Sequence, residues 1–171
     1  HSVSLSTKYP SFDAQVNVLG LLNILRNAVD VKAGKVIFAS SGATYGLSKD
    51  VPINEDTAQQ PQSPYGITKM IGEHYIRYWG AAYELNYTVL RYGNVYGPRQ
   101  DPSGEAGVVA IFARHFLNRE EVRIDWDGEQ QKDYVYVRDV ARANLEVVMK
   151  GNNEIFGIGT GRGVSVNKIY K

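Results

Sequence analysis

The stretch Lys35-Val-Ile-Phe-Ala-Ser-Ser41, set between Gly34 and Gly42, decides the fold. It is apolar without alternation, short, and bounded by turn residues, so it reads as a parallel strand covered on both faces and ending in hydroxyls. Upstream, Val16, Leu19, Ile24 and Ala28, joined by Val18, Leu21, Leu22, Leu25 and Val29, spread a wide apolar surface over a helix from Phe12 or Asp13 to Asp30. Such a surface suits burial against a sheet. Downstream, a polar loop carrying Pro52 and Pro61 leads to a second helix from Pro64 or Tyr65 to about Trp79. Ser63 is placed to cap it, Pro64 fits its first turn and Gly80 is a reasonable stop. Tyr87-Thr-Val-Leu-Arg-Tyr92 is a second strand. The order helix, strand, helix, strand predicts alternating α/β architecture with a mostly parallel sheet.

The second half is less regular. Val95 to Gly107 holds Gly97, Pro98, Pro102 and Gly104, a long loop of the kind that carries binding groups outside a sheet's carboxyl edge. The pattern then predicts a helix from Val108 to about Leu117, a short strand from Glu121 to Ile124, a turn at Asp127-Gly128-Glu129 and an extended segment from Asp133 to Val137. A helix from Val137 to Met149, started by Asp139 and ended near Gly151, precedes a short strand at Ile155 to Ile158. Gly157, Gly159, Gly161 and Gly163 lack the G-x-G-x-x-G spacing of a dinucleotide loop, so they form a turn into a helix capped by Ser165.

Composition narrows the function classes. The 171 residues are 43% hydrophobic, enough for a core without metal or disulfide support, and a net charge of +1 gives no electrostatic reason to expect nucleic acid or an anionic membrane. Cysteine is absent and the 3 histidines are scattered, which argues against a metal site and for an organic cofactor. No apolar stretch is long enough for a transmembrane helix, so a cytoplasmic location is the default expectation. The 12 tyrosines are the compositional oddity.

One tyrosine stands out. In Tyr65-Gly66-Ile67-Thr68-Lys69 the phenol and the ammonium are four residues apart, on one helical face. A positive neighbour favours phenolate and lowers the tyrosine pKa, which would let Tyr65 exchange a proton with an alcohol; Ser41, at a strand's end, is a second hydroxyl donor. The same spacing also occurs in plain helix-surface contacts.

Four ordered motifs carry a family resemblance. Ser40-Ser41-Gly-Ala-Thr-Tyr45-Gly46, Ser63-Pro-Tyr65-Gly-Ile-Thr-Lys69, Leu90-Arg-Tyr-Gly-Asn94-Val-Tyr-Gly97-Pro-Arg99 and Lys132-Asp-Tyr-Val-Tyr-Val-Arg-Asp139 resemble the extended short-chain dehydrogenase/reductases. Within them the chain is most similar to the NAD-dependent epimerase/dehydratase family, in particular enzymes like UDP-glucose 4-epimerase. The resemblance implies a Rossmann-like α/β fold, a parallel sheet with helices on both faces, here incomplete, plus part of a small substrate-binding lobe. Residues 1–96 would be the C-terminal half of the NAD-binding domain, and 97–171 a mixed substrate-binding segment with elements returning to the main sheet.

The resemblance also implies roles. Tyr65 matches the acid–base tyrosine, Lys69 the lysine that lowers its pKa and holds the nicotinamide ribose, and Ser41 the substrate-orienting hydroxyl. Asn17, Ser40, Tyr92 and Gly93 match positions lining the NAD site. Asn94 and Lys132 match contacts to the nucleotide-sugar diphosphate, although relatives often carry arginine where Lys132 stands; lysine keeps the charge and loses the planar fork. Gly42 and Ala43 occupy the places where sugar dehydratases carry an acidic pair, which counts against elimination. The implied activity is C4 epimerisation of UDP-glucose and UDP-galactose. The alternatives are a related dehydratase or decarboxylase, or a noncatalytic nucleotide-sugar-binding fragment. A homodimer through helices 13–30 and 64–79 is a further expectation.

The family's glycine-rich first strand and helix would precede His1, with His1-Ser-Val-Ser as a remnant of a strand exit, and its substrate segment would continue past Lys171. An open half-sheet with an exposed edge is therefore expected.

Overall fold

The computed structural model describes residues 3–48, 52–103 and 107–171. The chain opens with helix α1 (Val3–Lys8), then one continuous helical run made of α2 (Pro10–Ala14), a π turn (Gln15–Leu19) and α3 (Gly20–Asp30). Strand β1 (Val36–Ser41) ends in a 3-10 turn (Gly42–Thr44), and α4 (Pro64–Tyr83) leads to β2 (Tyr87–Tyr92) and β3 (Asn94–Tyr96). Helix α5 (Val108–Asn118), β4 (Gln131–Tyr136), α6 (Val137–Met149), β5 (Glu154–Ile158), β6 (Gly163–Ser165) and α7 (Val166–Tyr170) complete it.

These strands form two small sheets. In the main sheet the order is β1-β2-β5, all parallel, with Val36 opposite Tyr87 and Ser41 opposite Tyr92. In the second, β3 runs parallel to β4 and β4 antiparallel to β6. Alternation along β2 shows which helix lies on which face. Val89 joins Leu21, Leu25 and Ile76 in the core under α3 and α4, and Arg91 reaches Glu73 of α4. The phenol of Tyr92, on the opposite face, donates to the Asn144 side chain of α6 at 3.0 Å. Helices thus cover both faces. Leu25, Ile76 and Val89 are fully buried, and each such side chain contributes about 1.5–3 kcal/mol relative to exposure.

Local chemistry accounts for most element ends. Ser63 accepts the Gly66 N–H at 3.1 Å, with Pro64 in the first turn, and Ser165 accepts the Lys168 N–H at 3.3 Å. The turn at 127–129 forms, with Asp127 accepting the Glu129 N–H. Several expectations are corrected. Gly80 does not end α4: a Cβ there would lie 2.7 Å from the Tyr87 ring, so this glycine lets α4 press onto β2, and the helix stops at Glu84 in a left-handed conformation. Asp139 does not cap α6; it lies in the first turn and pairs with Arg142 at 3.1 Å. Residues 121–124 pair with no strand among the described residues.

At the N-terminus Val3 and Ser4 are helical, so the expected strand exit is replaced by α1, while His1, like Gly104 of the long loop, lies outside the described residues. Of its apolar residues the first long helix buries only Leu21, Leu25 and Ala28; Val16, Leu19 and Ile24 are exposed. Among the described residues β1 is an edge strand, with Ala39 exposed rather than covered. No helix among the described residues is long and apolar enough to cross a membrane.

Candidate active site

The site grows from the carboxyl ends of β1 and β2, where open α/β sheets bind ligands. Strand register sets Ser41 beside Tyr92. The Ser41 hydroxyl accepts the Ala43 N–H at 3.1 Å and so starts the 3-10 turn. That turn meets α4 closely: a Cβ on Gly66 would sit 2.6 Å from the Ala43 carbonyl oxygen. Only glycine after Tyr65 lets the helix approach this far, and the approach brings the Tyr65 phenol near enough to the Ser41 hydroxyl for that hydroxyl to act on its ionisation. A further hold comes from α1, whose buried Ser6 accepts the Tyr65 backbone N–H at 3.0 Å.

Lys69 lies one turn along α4. Its ammonium donates to the Ala39 carbonyl at 3.0 Å and stands 5.0 Å from the Phe38 ring centroid and 5.7 Å from that of Tyr65. The ammonium is thus over the tyrosine ring. Burial pushes the phenol above its ordinary range; the nearby Ser41 hydroxyl pulls it back and the negative charge of Asp13 raises it further. The expected lowering by Lys69 is not what the structure shows, because burial governs this phenol. Burial also lowers the Lys69 ammonium, with Asp13 acting in the opposite sense.

Asn17 sits in the π turn, a distortion frequent at functional sites, and donates its amide to the Asp13 carboxylate at 2.8 Å. Ser40 points away from the other candidates: buried, it donates to Glu73 at 2.5 Å. Glu73 in turn makes a buried ion pair with Arg91 at 2.7 Å, and Arg91 reaches the Tyr45 hydroxyl at 2.8 Å and the Glu55 carbonyl at 3.0 Å. This network ties the segment between β1 and α4 to the sheet. Ser40 is therefore a scaffold residue.

The remaining candidates gather on the second sheet. Gly93 alone separates β2 from β3, and its N–H donates to Ile158 at 2.9 Å. A Cβ there would stand 3.1 Å from the Asp133 carbonyl oxygen and 3.4 Å from that of Ile158. Asn94 and Lys132, both exposed, line one cleft of about 360 Å³ together with Tyr96, Gln130 and Tyr134. Asn94 donates to the Asp133 carbonyl at 3.3 Å, and Asp133 accepts the Thr160 and Gly161 N–H groups, fixing the glycine turn. A neighbouring cleft of about 400 Å³, containing Gln100 and Arg114 beneath α5, holds none of the candidates.

Sequence reasoning missed Ser6, Asp13, Thr68 and Glu73. Asp13 was visible in principle, since it stands four residues before Asn17 on the same helical face.

A parallel sheet between helices, with serine, tyrosine and lysine gathered at its carboxyl edge, defines an α/β protein of Rossmann-like fold. Comparison with known proteins narrows the class: the sequence profile of the NAD dependent epimerase/dehydratase family matches residues 1–159, and the chain belongs to that family. It is 45% identical over 170 residues to a putative UDP-glucose 4-epimerase of Methanocaldococcus jannaschii, covering 99% of this chain and 55% of that protein. The crystal structure of the Thermotoga maritima UDP-glucose 4-epimerase with UDP-glucose superposes with a TM-score of 0.97 at 51% identity, again over 99% of this chain and 55% of that one. The Thermus thermophilus UDP-glucose 4-epimerase in complex with NAD gives a TM-score of 0.92 at 41% identity, over 99% and 56%. The chain spans about half the length of the curated relatives it matches.

Proposed function

We propose that this chain is the catalytic part of an NAD-dependent nucleotide-sugar 4-epimerase that interconverts UDP-glucose and UDP-galactose. The observation that carries the reading is the close placement of Ser41, Tyr65 and Lys69 at the carboxyl edge of the main sheet. It is supported by similarity to UDP-glucose 4-epimerases along nearly the whole chain.

The donor set fits one end of a nicotinamide dinucleotide. The Lys69 ammonium has three N–H donors and gives one to Ala39, leaving donors for a ribose hydroxyl. Asn17, Tyr92 and Gly93 border the same edge. No G-x-x-G-x-x-G run occurs in the 171 residues, so these residues would hold the nicotinamide ribose rather than the pyrophosphate. When bound, the cofactor supplies a reversible hydride acceptor.

Tyr65 takes the proton of the sugar C4 hydroxyl, and Ser41 hydrogen-bonds the oxygen as it becomes a carbonyl. Asn94 and Lys132 hold the diphosphate while the 4-keto sugar turns over. Tyr65 then returns the proton with the opposite face presented, and C4 is inverted. Gly42 and Ala43 bring no acid or base beside Ser41, which favours epimerisation over elimination.

Residues 1–96 and 97–171 are assigned to the dinucleotide-binding and substrate-binding parts, with β5 joining the main sheet from the second. Pairing of two copies through helices 13–30 and 64–79 is supported by exposed Phe12, Val16, Leu19 and Ile67, and is checked by light scattering of the full-length protein. A cytoplasmic site of action fits this chemistry.

The test is conversion of UDP-glucose to UDP-galactose by the full-length protein with NAD. Sustained conversion is the expected result. Failure of that protein to bind NAD, or binding of UDP-glucose without conversion, overturns the reading.

A further inference from the structure

Asp13 is 1% exposed, in a place where a carboxylate is costly to desolvate unless hydrogen bonds compensate. Both of its oxygens are engaged. Oδ1 accepts from the Asn17 amide at 2.8 Å, and Oδ2 accepts from the Thr68 hydroxyl at 2.7 Å. The two donors lie on different elements: Asn17 in the π turn, and Thr68 on α4 in the turn between Tyr65 and Lys69. The Thr68 hydroxyl also lies 3.0 Å from the Tyr65 carbonyl, so it touches both Asp13 and the backbone of the tyrosine.

A carboxylate accepts and does not donate. Asn17 must therefore turn its NH₂ towards Asp13, which leaves its amide oxygen as the end able to accept elsewhere. An apolar residue at position 13 would fill the space without fixing that choice. The bridge also ties the first turn of α4 to the helix carrying Asn17, at the level of the site.

We propose that Asp13 is a positioning residue: by accepting from Asn17 and Thr68 it sets the orientation of the Asn17 amide and the alignment of Tyr65 and Lys69 with Ser41. The inference rests on the acid–base reading of Tyr65 given above. The electrostatic influence of Asp13 on both Tyr65 and Lys69 agrees with its hydrogen bond to Thr68, which lies between them along α4.

The test compares wild type, Asp13→Asn and Tyr65→Phe in the full-length protein, with UDP-glucose kinetics and the side-chain amide NMR resonance of Asn17 as readouts. Asp13→Asn is expected to lower kcat at least about tenfold while KM changes less than about threefold, because alignment rather than substrate binding is lost. The Asn17 resonance is expected to shift as its carboxylate acceptor disappears. A folded Asp13→Asn variant with wild-type kcat, or with an unshifted Asn17 resonance, overturns the proposal. Should Asp13→Asn fail to fold, Thr68→Val, which removes one hydroxyl, decides in its place: a lowered kcat at constant KM supports the proposal and an unchanged kcat overturns it. If Tyr65→Phe turns over normally, the acid–base reading falls instead, and the Asn17 resonance still shows whether Asp13 sets that amide.

Discussion

The two ends of the candidate site are built in opposite ways. Ser41, Tyr65 and Lys69 are half-buried on β1 and α4, and each is held by a partner that backbone packing supplies: the Ala43 N–H, the Ser6 hydroxyl and the Ala39 carbonyl. Asn94 and Lys132 are exposed on the second sheet, beside a cleft open to solvent. Proton transfer needs reacting atoms held in place and protected from water, and the crowding of the first end suits the role proposed for it. Gripping a diphosphate needs reachable charge and tolerates a flexible side chain, and the exposure of the second end suits the role proposed for it.

The sharpest way to break this contrast is Tyr65→Phe. With the acid–base group gone, kcat of the full-length enzyme is expected to fall about 10²–10⁴-fold with the KM for UDP-sugar little changed, measured by coupled assay. Next comes the scaffold behind the rigid end. Glu73→Ala leaves Arg91 buried without its carboxylate and is expected to destabilise the fold by about 3–5 kcal/mol, read by denaturant unfolding. Lys132→Ala addresses the wet end and is expected to weaken UDP-sugar binding by about 1.5–3 kcal/mol, raising KM with kcat retained. Loss of kcat at unchanged KM in that variant would erase the distinction between the two ends.

Two smaller effects sharpen it. Ser63→Ala removes the cap of α4 and is expected to cost about 1 kcal/mol of stability in thermal melts. The buried Tyr65 phenol is expected to ionise above its ordinary value of 10.0, seen as the difference between wild-type and Tyr65→Phe spectrophotometric titrations. Since the folded value is the higher one, this group leaves stability at neutral pH untouched. The unfolded chain gives up the proton first, so the fold weakens as pH rises past that value.

Much of the rigid end was legible in the sequence because its signals are local. Ser63-Pro64 starts a helix by capping and fixed φ, Tyr65 and Lys69 share a face by helical period, and Val36 to Ala39 is an unbroken apolar run. What escaped depends on distant partners. Asp13 receives Thr68 from 55 positions away, and Arg91 meets Glu73 across the interface between α4 and β2. By spacing alone Glu73, four residues after Lys69, would be a surface ion-pair partner. Gly80 misled because a helix glycine that admits a tyrosine ring looks the same in sequence as one that ends a helix. The short helix α1, only six residues long, goes unannounced, although its Ser6 holds the Tyr65 backbone. Part of the tyrosine excess is packing: Tyr75, Tyr78 and Tyr83 surround Trp79 on α4.

Gly93 gives the molecule a ruler. Tyr92, beside Ser41, belongs to the sheet proposed to handle the proton, and Asn94 belongs to the sheet proposed to grip the diphosphate. One residue joins them, a span of at most about 7 Å between their Cα atoms. In the proposed reading, the gap between reacting carbon and phosphate is gauged by the backbone itself, pinned at Gly93 by Ile158 and crowded by Asp133. On that reading, a sugar that places its reacting carbon farther from the phosphates than this gauge allows would engage one end and miss the other, so selection by length would come before any contact with the sugar's own hydroxyls.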